Sequence, residues 1–323
     1  MKRALICGIS GQDGSYLAKF LLDKGYEVFG TSRDAELSSF ANLKQLGIRE
    51  RVKCYSMKLT DFRSVLQVLS EAQPDEVYNL AGQTSVGLSF AQPVETLESI
   101  TFGTLNLLEV LRFMEADIRL YNASSGECYG VTTKESPALE TSALHPRSPY
   151  GVAKAAGYWT IANYREAYNL FACSGMLFNH ESPLRPERFV TQKIIRAACR
   201  IAAGSGETLK LGNLDVVRDW GYAPEYVEAM WLMLQNETPR DYIIATGQSH
   251  SLKHFAQQVF VTLGLDWLEH VQCDDSLLRA SDIATSFANP ARAHKELGWE
   301  AKTHLDDLIK TLVGHETTRL AAN

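Results

Sequence analysis

Two short stretches of this 323-residue chain gather groups that can hold or move protons. NASSGECYG, residues 122–130, sets Ser125 and the carboxylate Glu127 just past an apolar run. SPYGVAK, residues 148–154, places Tyr150 and Lys154 four apart. On a helix, positions i and i+4 share one face, so phenol and ammonium are neighbours. A buried ammonium lowers the pKa of an adjacent phenol, which would make Tyr150 a general base near neutral pH. Ser125, at a strand rim, would hold the hydroxyl that Tyr150 deprotonates; a plain strand-end hydroxyl is the alternative. Glu127 taken alone reads equally well as a solvated loop acid. Tyr-x-x-x-Lys arises often by chance, so its weight depends on a cofactor site earlier in the chain.

GISGQDG, residues 8–14, supplies a candidate, with Gly8, Gly11 and Gly14 between the first predicted strand and helix. Glycines there let the backbone turn tightly and approach a pyrophosphate, whose charge a helix N-terminus favours. The string is weak evidence alone and gains weight from its strand-turn-helix setting. The second strand ends in Gly30, Thr31, Ser32 and Arg33. NAD sites carry Asp or Glu there, whereas a small polar residue followed by Arg suits a ribose 2′-phosphate. This favours NADP, with a solvated surface arginine as the other reading. Asp61, in KLTD, is placed to reach the adenine or to cap the next helix.

These groups need a frame. Apolar runs at 3–8, 27–31, 52–56, 76–81, 118–124 and 170–176 read as strands. Helical patterns at 13–24, 61–72, 93–115 and 148–168 separate them. The alternation predicts an α/β fold: a Rossmann-type, doubly wound parallel sheet covered by helices on both faces. After residue 178 helical stretches dominate (189–203, 225–236, 251–263, 303–318), with short strands near 208–211 and 241–245. The expected division is a cofactor domain over 1–178 and a smaller, mixed α/β C-terminal substrate lobe over 179–323, with the chain free to cross back. No Pro/Gly/Ser-rich linker separates them.

Composition narrows the class. Hydrophobic residues at 45% and charged residues at 22% describe an ordinary globule large enough for one big domain, or a large and a small one. A net charge of −6 gives no footprint for nucleic acid. Cys7, Cys54, Cys128, Cys173, Cys199 and Cys273 are scattered with no metal-ligand spacing, so they read as reduced thiols and no metal is expected. No run approaches the ~20 apolar residues that span a membrane, and the N-terminus reads as a strand rather than a signal peptide. A cytoplasmic enzyme is expected.

Over nearly its full length the chain resembles the GDP-mannose 4,6-dehydratase family of extended short-chain dehydrogenases/reductases. The resemblance is carried by GISGQDGSYLAKFLL, VYNLAGQTSVG, RSPYGVAK, FNHESPLR, FVTQKI, LGNLDVVRDWG and YVEAMWLML. It implies a GDP-sugar substrate, GDP-D-mannose or a close hexose or heptose, and an NADP recycled within each turnover. Tyr150 would deprotonate the C4 hydroxyl as hydride leaves C4. Glu127 would then take the C5 proton and protonate the departing C6 hydroxyl before hydride returns to C6. The family's Thr-x-Glu unit falls on Ser125 and Glu127, and its usual Ser and Ala fall on Gly126 and Gly82. The glycines bring the chain closer to related GDP-4-keto-6-deoxy-sugar reductases, so an NADPH-dependent reductase or epimerase is the runner-up.

The resemblance also assigns binding residues. On the cofactor side they are Gly8, Ser10, Gly11, Gln12, Asp13, Gly14, Arg33, Asp61, Leu80, Ala81 and Gln83, with Tyr150, Lys154, His180 and Arg185. On the GDP-sugar side they are Ser85, Ser125, Glu127, Asn179, Lys193, Leu211, Gly212, Asn213, Arg218, Arg279 and Asp282. Arg218 and Arg279 are the candidates for the pyrophosphate. The segment 33–47 would contact a second subunit across the cofactor site. A homo-oligomer is implied, a dimer or a tetramer of dimers pairing helices near 93–115 and 148–168.

Overall fold

The computed structural model describes residues 1–322. β1 (Arg3–Cys7), β2 (Glu27–Ser32) and β3 (Lys53–Ser56) alternate with α1 (Gln12–Asp23), α2 (Ala41–Gln45) and α3 (Phe62–Ala72). β4 (Glu76–Asn79) leads to α4 (Val86–Ala91), α5 (Pro93–Leu97) and α6 (Gly103–Met114), with a π-helical turn over Glu98–Phe102. β5 (Arg119–Ser125) and β6 (Ala172–Leu177) flank α7 (Pro149–Tyr168). Next come β7 (Asn179–Glu181), α8 (Val190–Ala202), β8 (Leu209–Leu211), β9 (Val217–Tyr222), α9 (Ala223–Gln235) and β10 (Tyr242–Ile244). The chain closes with β11 (Ser249–Ser251), α10 (Leu252–Thr262), β12 (Val271–Cys273), α11 (Ala291–Leu297) and α12 (Leu305–Ala321).

The central sheet is parallel, in the order β10-β6-β5-β4-β1-β2-β3. β4 and β6 are buried at every position, as strands covered on both faces must be. On one face Leu17 and Leu21 of α1 pack with Met230 and Met233 of α9. On the other, Val65, Leu69, Leu107, Leu111 and Ile161 close α3, α6 and α7 over the strands. Each such side chain contributes about 1.5–3 kcal/mol by leaving water. The strand order reverses between β1 and β4, which opens a crevice at their carboxyl ends.

The second body is smaller. β9 joins β7 in parallel and β11 in antiparallel fashion, and β8 pairs with β12. α8, α10 and α12 close a separate core around Ile195, Phe255, Val259 and Ile309. The expected boundary at 178/179 marks only the first crossing. α9 returns to cover α1, and β10 completes the edge of the central sheet beside β6. Asp241 secures the return: it pairs with Arg165 at 2.7 Å and accepts the Ser174 N–H at 2.7 Å.

Candidate active site

α7 starts sharply because Ser148 Oγ accepts the Gly151 N–H at 3.0 Å and Pro149 opens the first turn. That start fixes Tyr150 and Lys154 on the buried face. Lys154 Nζ donates to the Ala123 carbonyl at 2.7 Å and lies 5.8 Å from the centre of the Tyr150 ring. Burial brings the Lys154 amine down to about 8. Burial also pushes the Tyr150 phenol up, with the Ser125 hydroxyl acting in the opposite direction. The ammonium is engaged by the β5 backbone, and desolvation dominates the phenol.

Glu127 sits in a 3₁₀ turn at the end of β5, its N–H donating to Ser125 Oγ at 3.2 Å. Burial raises its carboxyl, against the pull of Arg218 and then Arg279. Arg218 Nη2 donates to Asp282 Oδ1 at 2.9 Å, and Arg279 Nη1 donates to the same oxygen at 3.2 Å. Asp282, expected at the nucleotide, thus holds the two arginines expected at the pyrophosphate. Lys193 Nζ donates to the Lys210 carbonyl at 2.7 Å. Gly126 and Gly82 are both closely enclosed. A Cβ on Gly126 would lie 3.0 Å from the Phe178 ring, and one on Gly82 would lie 2.9 Å from Ile100. Larger neighbours fill the space.

The glycine turn fits a dinucleotide. Gly8 has φ +83° and packs so closely that a Cβ would lie 3.0 Å from the Ala81 backbone. At Gly14 a Cβ would meet the Gly8 carbonyl oxygen at 2.5 Å. α1 has Gly11 at its N-cap with no side-chain cap, which leaves its first amides available to an anion. Arg33 is exposed at the end of β2, 3.8 Å from Glu95. Asp34 turns into its own loop, where Oδ1 accepts the N–H groups of Glu36 and Leu37 at 3.0 Å each. Asp61 caps α3 by accepting the Ser64 N–H at 3.1 Å, so its hydrogen bond is the capping one.

A cleft of about 660 Å³ lies between sheet and lobe, within the range of small-molecule sites. It brings together Ser125, Glu127, Tyr150 and Lys154 with Asp13, Leu80, His180 and Arg185. From the start of α4 comes Ser85, and from the lobe side Asn179, Lys193, Leu211, Gly212, Asn213, Arg218, Arg279 and Asp282. Outside its lining, on the turns after β1 to β4, are Gly8, Ser10, Gly11, Gln12, Gly14, Arg33, Asp61, Ala81 and Gln83. Sequence reasoning missed Thr84, Arg188, Phe189 and Trp220, which also line the cleft. The Arg188 signal was the run LRPERF, in which Arg185 and Arg188 both approach the Phe189 ring, at 3.6 and 5.3 Å.

Comparison with known proteins agrees with this geometry. The family model described as GDP-mannose 4,6 dehydratase matches residues 5–312. GDP-mannose 4,6 dehydratase 1 of Arabidopsis thaliana is 44% identical over 325 residues, 98% of this chain and 90% of that protein. GDP-mannose 4,6 dehydratase of Homo sapiens is 39% identical over 345 residues, covering 99% and 92%. Among solved structures, UDP-glucose 4-epimerase of Thermus thermophilus, in complex with NAD, superposes with a TM-score of 0.85. It is 28% identical and covers 97% of this chain and 98% of its own.

Proposed function

The chain belongs to the GDP-mannose 4,6-dehydratase family, and we propose that its cleft removes water from GDP-D-mannose to give the GDP-4-keto-6-deoxy sugar. The carrying observation is one carboxyl, Glu127, held in the same cleft as Tyr150 and two arginines. Tyr150, in its phenolate form, accepts the C4 hydroxyl proton, with Ser125 beside it to orient that hydroxyl. Glu127 removes the C5 proton made acidic by the neighbouring ketone and delivers it to the C6 hydroxyl, which leaves as water. A carboxyl whose pKa is raised by burial suits both halves of that transfer. Arg218 and Arg279 exchange Asp282 for the diphosphate. A nicotinamide cofactor at the glycine turn would accept the C4 hydride and return it to C6, while the proton held by Tyr150 goes to C5 and completes the 4-keto-6-deoxy sugar. NADP is favoured over NAD by Arg33, and by Asp34 spending its carboxylate on its own loop.

The reductase reading rests on Gly82 and Gly126, which lie against Ile100 and Phe178. Glu127→Gln decides between the two. The amide keeps the shape but cannot accept a proton, so loss of one water from GDP-mannose, followed by mass spectrometry, should slow by ~10²–10⁴-fold. Hydride transfer from C4 should survive, so reduced nicotinamide accumulates. Dehydration at the parental rate would remove Glu127 from the mechanism, and net NADPH consumption with a 4-keto substrate would favour the reductase.

The assembly proposed is a homotetramer of dimers. Val94, Phe102 and Phe113 around α5 and α6, and Val152, Trp159 and Tyr168 on α7, are exposed apolar side chains on the helices expected to pair. Light scattering at micromolar concentration should give four chains; a monomer would refute it. The six cysteines are unpaired thiols, in keeping with a reducing cytoplasm.

A further inference from the structure

His180 sits on β7 with both ring nitrogens against acceptors. Nδ1 is 2.7 Å from the Phe178 carbonyl oxygen, and Nε2 is 2.9 Å from Asp13 Oδ2. A carbonyl oxygen only accepts, so Nδ1 carries a hydrogen; an ionised carboxylate also only accepts, so Nε2 carries one too. Against an ionised Asp13 the ring would therefore be an imidazolium. Charge is consistent with geometry. Burial opposes ionisation of Asp13, yet the His180 charge and hydrogen bond, Gln12 and Arg185 outweigh it and bring the carboxyl down to about 2. Burial likewise opposes the His180 charge, and the Asp13 carboxylate overcomes it, raising the ring above its usual pKa.

The pair is gripped from several elements. Asp13 Oδ1 accepts from Gln12 Nε2 at 2.9 Å, and the same Nε2 reaches the His180 carbonyl at 3.2 Å. Ser182 Oγ donates to Gln12 Oε1 at 2.7 Å. The His180 ring stacks on Tyr226 of α9, centroids 4.6 Å apart. Tyr226 fits because residue 221 is glycine: a Cβ there would run into its ring. Other titratable groups facing the pair are Glu181 of β7 and Arg185 in the following turn. Lys154 of α7 and Tyr121 of β5 feel the Asp13 charge.

A carboxylate in the first turn of an anion-binding helix would repel a phosphate unless its charge were cancelled. We propose that Asp13 and His180 are positioning residues, a fixed carboxylate–imidazolium clasp that cancels charge at the cofactor turn and ties that turn to β7. β7 carries Asn179 into the GDP-sugar side of the cleft, so the clasp holds the cofactor and sugar sites in one register.

Only the sugar-binding arm of the test rests on the GDP-mannose reading. Ring-nitrogen NMR of the full-length protein, with His180 assigned through His180→Gln, should find both nitrogens still protonated where a free imidazole has become neutral. A neutral His180 ring at pH 7 overturns the clasp without any ligand. Asp13→Asn keeps the shape, but its amide can donate to Nε2, so the ring should become neutral at pH 7. By calorimetry that variant should bind GDP-mannose about tenfold more weakly, as well as NADP. The parent should lose affinity only as pH rises through the raised His180 pKa, whereas the variant has lost it already at neutral pH. Weakening confined to NADP would make Asp13 a plain cofactor contact and overturn the positioning role. If GDP-mannose binds neither protein, the substrate reading fails, and the ring charge still decides whether the clasp exists.

Discussion

The turn after β1 and the arginine cluster of the lobe are both proposed to meet negatively charged groups, and they are built from different materials. The turn is made of backbone: Gly8 and Gly14 leave no room for a Cβ against other main-chain atoms, and the first amides of α1 have no side-chain cap. The cluster is made of side chains already engaged with one another, Arg218 and Arg279 sharing Asp282 and pulling on Glu127. A backbone site is ready before its ligand arrives and tolerates no added atom. A side-chain site must exchange an internal partner for the ligand, so it can adapt but starts from a compensated state.

Three substitutions probe that difference. Gly14→Ala should have the largest effect, since its Cβ would meet backbone at 2.5 and 2.7 Å, where nothing can swing aside. A loss of about 3 kcal/mol in stability, with release of the nicotinamide cofactor, is expected in thermal unfolding and absorbance. Unchanged cofactor retention would mean that the turn is less tightly built than its contacts imply. Asp282→Ala should cost about 2 kcal/mol, because Arg218 is left largely buried without its acceptor. GDP-mannose should then raise the melting temperature more in the variant than in the parent, the diphosphate replacing the missing charge. An equal rise in both would show that no exchange of partners takes place. Arg33→Asp is the mildest, about 1–2 kcal/mol, because the side chain is exposed. It should reverse the preference for NADP over NAD in calorimetry and leave GDP-mannose affinity alone; a parent that binds both cofactors equally would remove its basis.

Legibility in the sequence followed the same divide. β1, β2 and β4 to β6 stand out because strands covered on both faces are apolar runs, and α7 because Ser148 and Pro149 announce it. β7 and β9 were unreadable as strands. NHE is three polar residues, and VRDWGY buries Arg218 and Asp219 among hydrophobic neighbours, so neither alternation nor an apolar run marks them. α4 escaped notice because it is six residues long and held by one Ser85 cap. The motif residues themselves were legible; their partners were not. Arg218 and Asp282 lie 64 positions apart, and Asp13 and His180 lie 167 apart, distances at which local pattern carries no information.

The return of the chain at α9 and β10 has a consequence for how the protein is made. While the ribosome has delivered only the first 178 residues, β6 is an unpaired sheet edge and the Leu17–Leu21 face of α1 is bare. The helix face is covered once residue 235 has emerged and the edge once residue 244 has, both after β7, β8 and β9 of the lobe. The sheet therefore matures with part of the lobe already threaded through it. A nascent chain halted within that interval exposes a strand edge and an apolar helix face together, the combination that chaperones exist to shield.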